Sequence, residues 1–520
     1  MSAGYNWFLI IIAVIISILA IGVALYLLVA FQHPEDKNQA WFPKIVVIFG
    51  ISLAIWTVLL FPLDVANRKS CPADLSVTAC QLAIPAAKLW EACYIMNAIM
   101  VFFLIPFTMF YYEADSEMSM SQRWISAGMW EFATAVVIGL ILGICYALVG
   151  YVEYPIMGMS SGLAPLKAIN DTSVPLDRCI VPGVSLTSPV YAGRLCDAIN
   201  GNVVIENWKQ RVTFPVYVIA MSTTAGWTLF MVFAGVGFVA LPMDMIRQFL
   251  GRPRSTISRS EYIQKAKRLG IRAREIKDLA TKLRKEDREM GRGRKWRKNF
   301  RMLNSQLAAL EEDETALELV FPQGEDPDYM WAVTVILFWL KGLFGCISVV
   351  LSLAWLIQTV LYIFVYPPIT PFLNDLFTKL DSAFPLFGTV AFAIFCFYLI
   401  AVTIKGCMKV GLNLLIFTIH PMKAGATLMS SFLFNVALVL LATTAAIQFC
   451  AQAFALYANG SAIGNIFGNQ ILHLVGIKYL YQLHVFLYAM FSFVGLTIVY
   501  LFMRGPDAWK RYKVEDAYAM

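Results

Sequence analysis

Nine stretches of this chain are each long and apolar enough to cross a lipid bilayer: residues 7–31, 45–63, 89–112, 124–149, 214–241, 331–365, 384–404, 428–456 and 485–503. A hydrocarbon core of about 30 Å is crossed by roughly 20 mainly apolar residues in a helix. Lipid offers the backbone no hydrogen bonds, so only helices and closed barrels span it, and these runs lack the alternation of barrel strands. The fold class that follows is an all-α polytopic membrane protein. Composition agrees: 59% of the 520 residues are hydrophobic and 14% charged, against roughly 45–50% and about 25% in soluble domains. A tenth apolar run, 410–419, is too short to span and is expected at the interface or re-entering it.

The first run is not a secretory signal, because no Lys or Arg precedes it, it is too long, and no small-residue cleavage site follows. It reads as an uncleaved first span with an external N-terminus. With that orientation the 41 Lys and Arg divide into 30 cytoplasmic, 10 external and Lys341 within a span, as the positive-inside rule expects. The C-terminus is then cytoplasmic. The domains that result are an N-terminal bundle of five spans (1–245), a cytoplasmic insert (246–328), a C-terminal bundle of four spans (329–503) and a tail (504–520).

The loops placed outside hold Cys71, Cys80, Cys179 and Cys196, an even number suited to disulfides in an oxidising compartment. Pairing Cys71 with Cys80 and Cys179 with Cys196 is the simplest of three connectivities; the bland alternative is four ordinary small residues. The same loops carry the glycosylation sequon at Asn170, whereas a second at Asn459 lies too near the bilayer to be favoured. The remaining six cysteines fall in spans or in the cytoplasmic turn. External segment 150–211 is rich in Pro, Gly and Ser, and connections of this length are usually functional or disordered. It is the best candidate for recognition on that side.

The formal charge of +7 is local. Twenty of the 41 Lys and Arg lie between Arg247 and Arg301, while 302–328 has 8 acidic residues and no basic one. Leu269, Ala273, Ile276, Ala280 and Leu283 step by four and three, as do Trp296, Phe300, Leu303, Leu307 and Leu310 after Gly291-Arg292-Gly293. That spacing describes two helices in an antiparallel hairpin. Its charges are either simply solvated or form a docking surface, with Arg292, Arg294, Lys295, Arg297 and Lys298 at its centre. The occupant would be a cytoplasmic partner or anionic lipid, which attracts such residues by about 1 kcal/mol each. Ser255, after Arg252-Pro253-Arg254, is a phosphorylation candidate that would weaken the attraction. A nucleic-acid binder does not follow from one basic segment.

Catalytic signatures are missing: no phosphate loop, no His-Glu-x-x-His and no Gly-x-Ser-x-Gly. The four histidines fall on opposite sides of the membrane, so no metal centre, cofactor or enzyme is expected. No internal repeat of the kind common in transporters is visible. Ionisable groups within spans still mark candidate sites. Lys341 and Glu131 enter from the same side and would pair if their helices were neighbours; the alternative for Lys341 is to reach along its stem to the interface. Asp64 and Glu91, near span ends, read as reaching the headgroups. Gly226, Gly235 and Gly237, with Gly342 and Gly345, suit close helix packing. Pro62, Pro106 and Pro242 are expected to kink or end their helices.

Several short stretches are more distinctive. They are Asn38-Gln39-Ala40-Trp41-Phe42-Pro43-Lys44, Asp64-Val65-Ala66-Asn67-Arg68, Gly293-Arg294-Lys295-Trp296-Arg297-Lys298-Asn299, Tyr366-Pro367-Pro368, Pro371-Phe372-Leu373-Asn374 and His420-Pro421-Met422-Lys423. With the span count and the insert, they resemble the limb-region membrane protein family, in its plant-type branch, over almost the whole chain. That family includes a lipocalin-interacting membrane receptor and a lysosomal cobalamin transport escort protein. The resemblance implies a non-enzymatic receptor or escort in the plasma membrane or an endolysosomal or vacuolar membrane. Its partners would be membrane lipids, a membrane transporter or lipocalin-like ligand, and a cytoplasmic protein at the hairpin. The rival reading is a transporter or channel for a small organic or hydrophobic solute, with Lys341 and Glu131 near its path.

Overall fold

The computed structural model describes residues 7–33, 36, 41–69, 84–114, 118–157, 205–253, 255–290, 294–321, 327–384, 386–410, 413–414, 417–418, 425, 427–467 and 471–503. Among them, nine helices are long and apolar enough to cross a membrane. In chain order the helices and strands are α1 (Trp7–Phe31), α2 (Trp41–Lys69), α3 (Ala86–Ile99), α4 (Ile105–Glu113), α5 (Met120–Val149), β1 (Tyr151–Met157), β2 (Ile205–Arg211), α6 (Phe214–Leu250), α7 (Arg259–Met290), α8 (Arg294–Val320), α9 (Pro327–Gln358), α10 (Phe372–Ala383), α11 (Phe387–Lys409), β3 (Asn413–Leu414), β4 (Phe417–Thr418), α12 (Met429–Ala453), α13 (Ala462–Asn465), α14 (Lys478–Gln482) and α15 (Val485–Met503). A π-helical turn, Met100–Leu104, joins α3 to α4 into one span, and a second, Thr359–Phe364, extends α9.

Because consecutive spans alternate in direction, their ends define two faces. One carries the α7–α8 insert and is the hairpin face; the other is the far face. Central and peripheral spans differ sharply. In the most apolar window of α12, 78% of residues are buried, against none in α5. Helix α12 is rich in small residues, with Ala442, Thr443, Thr444, Ala445 and Ala446 all buried, so neighbours approach its backbone closely. Helix α1 is apolar on every side and buries mainly one stripe, Ala20, Ala24 and Leu28, at a spacing of four. In lipid this difference reflects packing rather than the hydrophobic effect, since acyl chains are as apolar as leucine.

Helix α6 is the hub, contacting α9, α11, α12 and α15. Its glycines serve partners other than α9. A Cβ on Gly226 would lie 2.2 Å from the Leu441 carbonyl oxygen of α12, and one on Gly237 1.9 Å from that of Val402 of α11. Gly235 faces Phe493 and Met490 of α15. Gly406 of α11 answers Gly237, its Cβ position 1.8 Å from the Phe233 oxygen. Gly342 and Gly345 of α9 receive Phe249 and Ile246 of α6. Above this crossing, toward the far face, Trp355, Phe377, Phe392, Phe449 and Phe454 form an aromatic core, with Trp355 and Phe454 centroids 4.8 Å apart.

The three prolines sit differently in their spans. Pro62 and Pro242 lie inside continuous helices α2 and α6, and Pro106 starts α4 after the π turn. Neighbouring helices and local π geometry can absorb the lost backbone bond in a membrane interior. Cys407, expected in the turn after the seventh span, lies within α11 and is buried. The run 410–419 contains β3 and β4, a short antiparallel pair, in place of a membrane-crossing helix.

The insert between the fifth and sixth spans is a helical hairpin. The Trp296 indole donates to the Leu283 carbonyl at 3.1 Å, Arg272 pairs with Asp313 at 3.1 Å, and Tyr262 stacks on Phe321 with centroids 4.4 Å apart. At 1.5 Å per residue α7 extends about 48 Å, which puts the Lys298 turn at the end remote from the spans.

Candidate functional site

A cluster of buried polar side chains lies on the far face, where the ends of α2 and α12 meet α10 and the segment before α14. Asp64 is buried inside the bundle and does not reach the headgroups as its place near a span end suggested. Its Oδ2 accepts from the Trp90 indole at 2.9 Å and from the Ile463 amide at 3.3 Å. Glu91, one residue past Trp90, is exposed. Asn67, three residues beyond Asp64 and so on the same helix face, bridges both backbone groups of Ile84 at 2.9 and 3.3 Å.

Two more carboxamides complete the frame. Asn374 donates to the Ala453 carbonyl at 3.2 Å and accepts from the Tyr457 amide at 3.0 Å. Gln358 donates to the same Ala453 carbonyl at 3.1 Å and accepts from the Leu373 amide at 3.3 Å. The carbonyls ending a helix have no partner within it; here two side chains supply one. The stretches 64–68 and 371–374, remote in sequence, are thereby brought to one end of the bundle.

Beside this frame, Asp381 pairs with Lys69, accepts from the Tyr457 hydroxyl at 2.8 Å and from the Thr389 amide at 3.3 Å. The Lys69 ammonium lies 3.4 Å from the Tyr457 ring centroid. Burial alone would raise the Asp381 carboxyl, but bonds from Lys69 and Tyr457 and the Lys69 charge outweigh it and hold the group below the usual carboxylate range. Burial pushes the Tyr457 phenol up, and the neighbouring carboxylate adds to the rise. Both groups therefore keep a fixed protonation state near neutrality, which suits a rigid platform rather than proton transfer.

A cavity of about 290 Å³ opens next to the platform, lined by Gln448, Gln452, Asn459, Ser461, Gly464 and Phe467 among others. Gln448 is committed to the Trp227 indole at 2.7 Å, and Gln452 lies 3.4 Å from the His484 ring. The ribbon β1–β2 stands on the same face. Val475 donates to the Tyr151 carbonyl at 2.8 Å, and Glu153 pairs with Lys209 at 3.1 Å and Lys478 at 2.5 Å. Hydrogen bonds from those two lysines hold the Glu153 carboxyl low. The ribbon fixes both ends of segment 158–204 to the bundle. Sequence periodicity did not reveal it, because seven-residue strands with few apolar alternations carry little signal.

The other sequence candidates lie apart. Cys71, Cys80, Asn170, Cys179, Cys196 and Arg292 lie outside the described residues, as do the side chains of Arg294, Lys295 and Arg297. Lys298 and Ser255 are exposed on the insert side. Glu131 and Lys341 form no ion pair among the described residues. Glu131 is buried, with Oε2 taking a 3.4 Å bond from Thr134 in its own turn and Oε1 unpartnered. Lys341 is half-buried with its ammonium 5.0 Å from the Phe338 ring centroid. Their helices pack on different neighbours, α5 chiefly on α4 and α9 chiefly on α6. No group of three His, Cys, Asp or Glu among the described residues could hold a metal.

Comparison with known proteins agrees with this architecture. The LMBR1-like membrane protein family matches residues 9–302 and 292–499. A LIMR family protein of Oryza sativa is 45% identical over 98% of both chains, and one of Arabidopsis thaliana 43% identical over 99% of both. A LIMR family protein of Dictyostelium discoideum is 31% identical over 98% of this chain and 100% of its own. No solved structure matches. Nine apolar helices among the described residues, a hairpin between the fifth and sixth, and end-to-end similarity to these relatives make the chain a multipass integral membrane protein of the LMBR1-like, or LIMR, family.

Proposed function

We propose that this protein is a non-enzymatic membrane receptor or transporter escort, which recognises a ligand or a membrane partner on its far face and engages cytoplasmic machinery through the α7–α8 hairpin. In this reading the N-terminus and far face are external or luminal, and the protein resides in the plasma membrane or an endolysosomal or vacuolar membrane. Disulfides among Cys71, Cys80, Cys179 and Cys196 and a glycan on Asn170 belong to the same proposal.

One observation supports it best. Where a solute path would run between α6, α11 and α12, backbones approach until Gly226, Gly237 and Gly406 have a neighbouring carbonyl 1.8–2.2 Å from the position a Cβ would take. Interiors packed this closely leave no room for a side chain, still less a solute. The far-face cavity and a second one at the hairpin face share no lining residue. The features that project are a ribbon with its loop and a hairpin about 48 Å long, both suited to binding partners.

Affinity capture tests the proposal. The full-length protein should recover a stoichiometric membrane or cytoplasmic partner, and removing residues 247–328 should abolish the cytoplasmic one. If that deletion leaves every partner and the cellular location unchanged, docking at the hairpin is refuted. Purified protein in liposomes should show negligible solute flux; saturable flux abolished by Lys341→Ala would establish the transporter reading instead.

A further inference from the structure

The hairpin-face cavity, about 500 Å³, lies between α6 and α15 at the end of α11. Its wall is divided by chemistry. Toward the bundle interior it presents Val236 and Phe493; toward the hairpin face it presents Asp244, Arg247 and Lys409. From Val236 to Arg247 is eleven residues of helix, about 16 Å at 1.5 Å per residue. That is the depth of a phospholipid headgroup with the first part of its chains.

Charge is unbalanced at the polar end. Lys405 and Lys409 both place their ammonium groups 2.9 Å from the same Asp244 oxygen. Among the described residues two ammonium groups thus share one carboxylate, a local excess of one positive charge, with Arg247 one turn along α6. Asp244 and Lys405 are only 16% and 25% exposed, so water screens this excess poorly. An ammonium group has three donors, and the single bond each lysine makes to Asp244 leaves the others for a further anion. Partly buried charge at the end of a span favours a counter-charge from within the membrane boundary.

The membrane-facing residues of the cavity decide which anion. Leu496 is 63% exposed and Tyr500 52% exposed on the outer surface of α15. Both also line the cavity, so its margin reaches the exposed side of α15. A free phosphate would satisfy the cations but leave the Phe493 and Val236 end empty, whereas a lipid fills both ends.

We propose that this cavity binds an anionic glycerophospholipid, its phosphate held by Lys409 and Arg247 and its acyl chains lying against Val236, Phe493 and Leu496. Asp244 orients the two lysines and limits affinity by offsetting one of their charges.

Native mass spectrometry of the full-length protein in detergent, titrated with phosphatidylglycerol or phosphatidylcholine, provides the test. Phosphatidylglycerol should remain bound at concentrations at least about tenfold lower than phosphatidylcholine: both carry the phosphate, but only the choline head adds a cation, which the excess positive charge repels. Arg247→Gln with Lys409→Gln should erase the preference, and Lys409→Arg should retain it. Leu496→Trp, on the exposed side of α15, should obstruct that margin and weaken both lipids without disturbing the charges. Inorganic phosphate in large excess should not displace the lipid. Equal binding of the two lipids, an unchanged preference in the double glutamine variant, or displacement by phosphate would each overturn the proposal. Melting temperatures of the variants separate loss of the site from loss of the fold, and if the double variant does not fold, Leu496→Trp carries the test.

Discussion

Replacing Gly406 by alanine tests the close packing on which the functional reading rests. The added methyl would sit 1.8 Å from the Phe233 carbonyl oxygen, with the Phe233 carbonyl carbon at 2.6 Å and Cα at 2.9 Å. An ordinary carbon–oxygen contact is about 3.3 Å or more, so α6 and α11 must part by about 1.5 Å. The obstacle is backbone within a helix, so no side-chain rotation relieves it. Overpacking of this kind costs about 1–3 kcal/mol, and the opposing gain in helix propensity from Gly to Ala is only about 1 kcal/mol. Gly237 makes the reciprocal contact, its Cβ position 1.9 Å from the Val402 oxygen. Once one methyl has parted the helices, the second meets less resistance, so Gly237→Ala and Gly406→Ala should destabilise less together than the sum of their separate effects. Gly139→Ala is the control, because nothing lies within 4 Å of its Cβ position. Thermal unfolding in detergent, followed by labelling of the buried thiols Cys396, Cys407 and Cys450, reads the outcome. Gly406→Ala should melt clearly below the wild type and Gly139→Ala at or above it. Equal melting of the two alanine variants, or strict additivity in the double variant, would refute the account of a backbone-tight centre.

Further predictions concern the polar frame and the appendages. Trp90→Phe leaves Asp64 without its indole donor in a buried position and should cost about 1–3 kcal/mol, measured by chemical denaturation; a neutral result would mean that the bond is not maintained. Asp381 has its carboxyl held below the ordinary value, so its contribution is fully present above the unfolded value near 3.9 and is lost as pH falls through the lower folded value. Melting temperature at pH 5 should therefore retain the Asp381 contribution seen at pH 7. The gap between wild type and Asp381→Asn should close only below about pH 4; a gap that closes between pH 7 and 5 contradicts the assignment. Glu153→Gln should speed hydrogen exchange of β1 and β2 amides without changing exchange in α12, and uniform exchange changes would show that the ribbon is not held locally. Arg272→Ala should shift hairpin stability by at most about 1 kcal/mol, as expected for an exposed pair, whereas Trp296→Ala should shift it more, both followed by hydrogen exchange in α7 and α8.

Sequence alone determined the number and approximate place of the spans, because the need to satisfy every backbone group in lipid makes the length of an apolar run nearly sufficient to identify one. The heptad spacing around Leu283 and Trp296 likewise revealed the hairpin, since its two helices are neighbours along the chain. What sequence left undecided depends on distant parts of the chain meeting. Asp64 has the same appearance whether it faces a headgroup or the Trp90 indole, and only the arrival of Ile463, almost four hundred residues later, shows that it is buried. Asn374 and Tyr457 carry no pattern of their own that joins them to Ala453. Glu131 and Lys341 lie in spans that enter from one side, yet the helices to which they belong lean on different neighbours. Helix packing in a bilayer is set by small-residue contacts and buried polar bonds rather than by apolar periodicity. For that reason the glycines of α6 were visible as packing residues, while the partners they approach were decided by the tertiary structure.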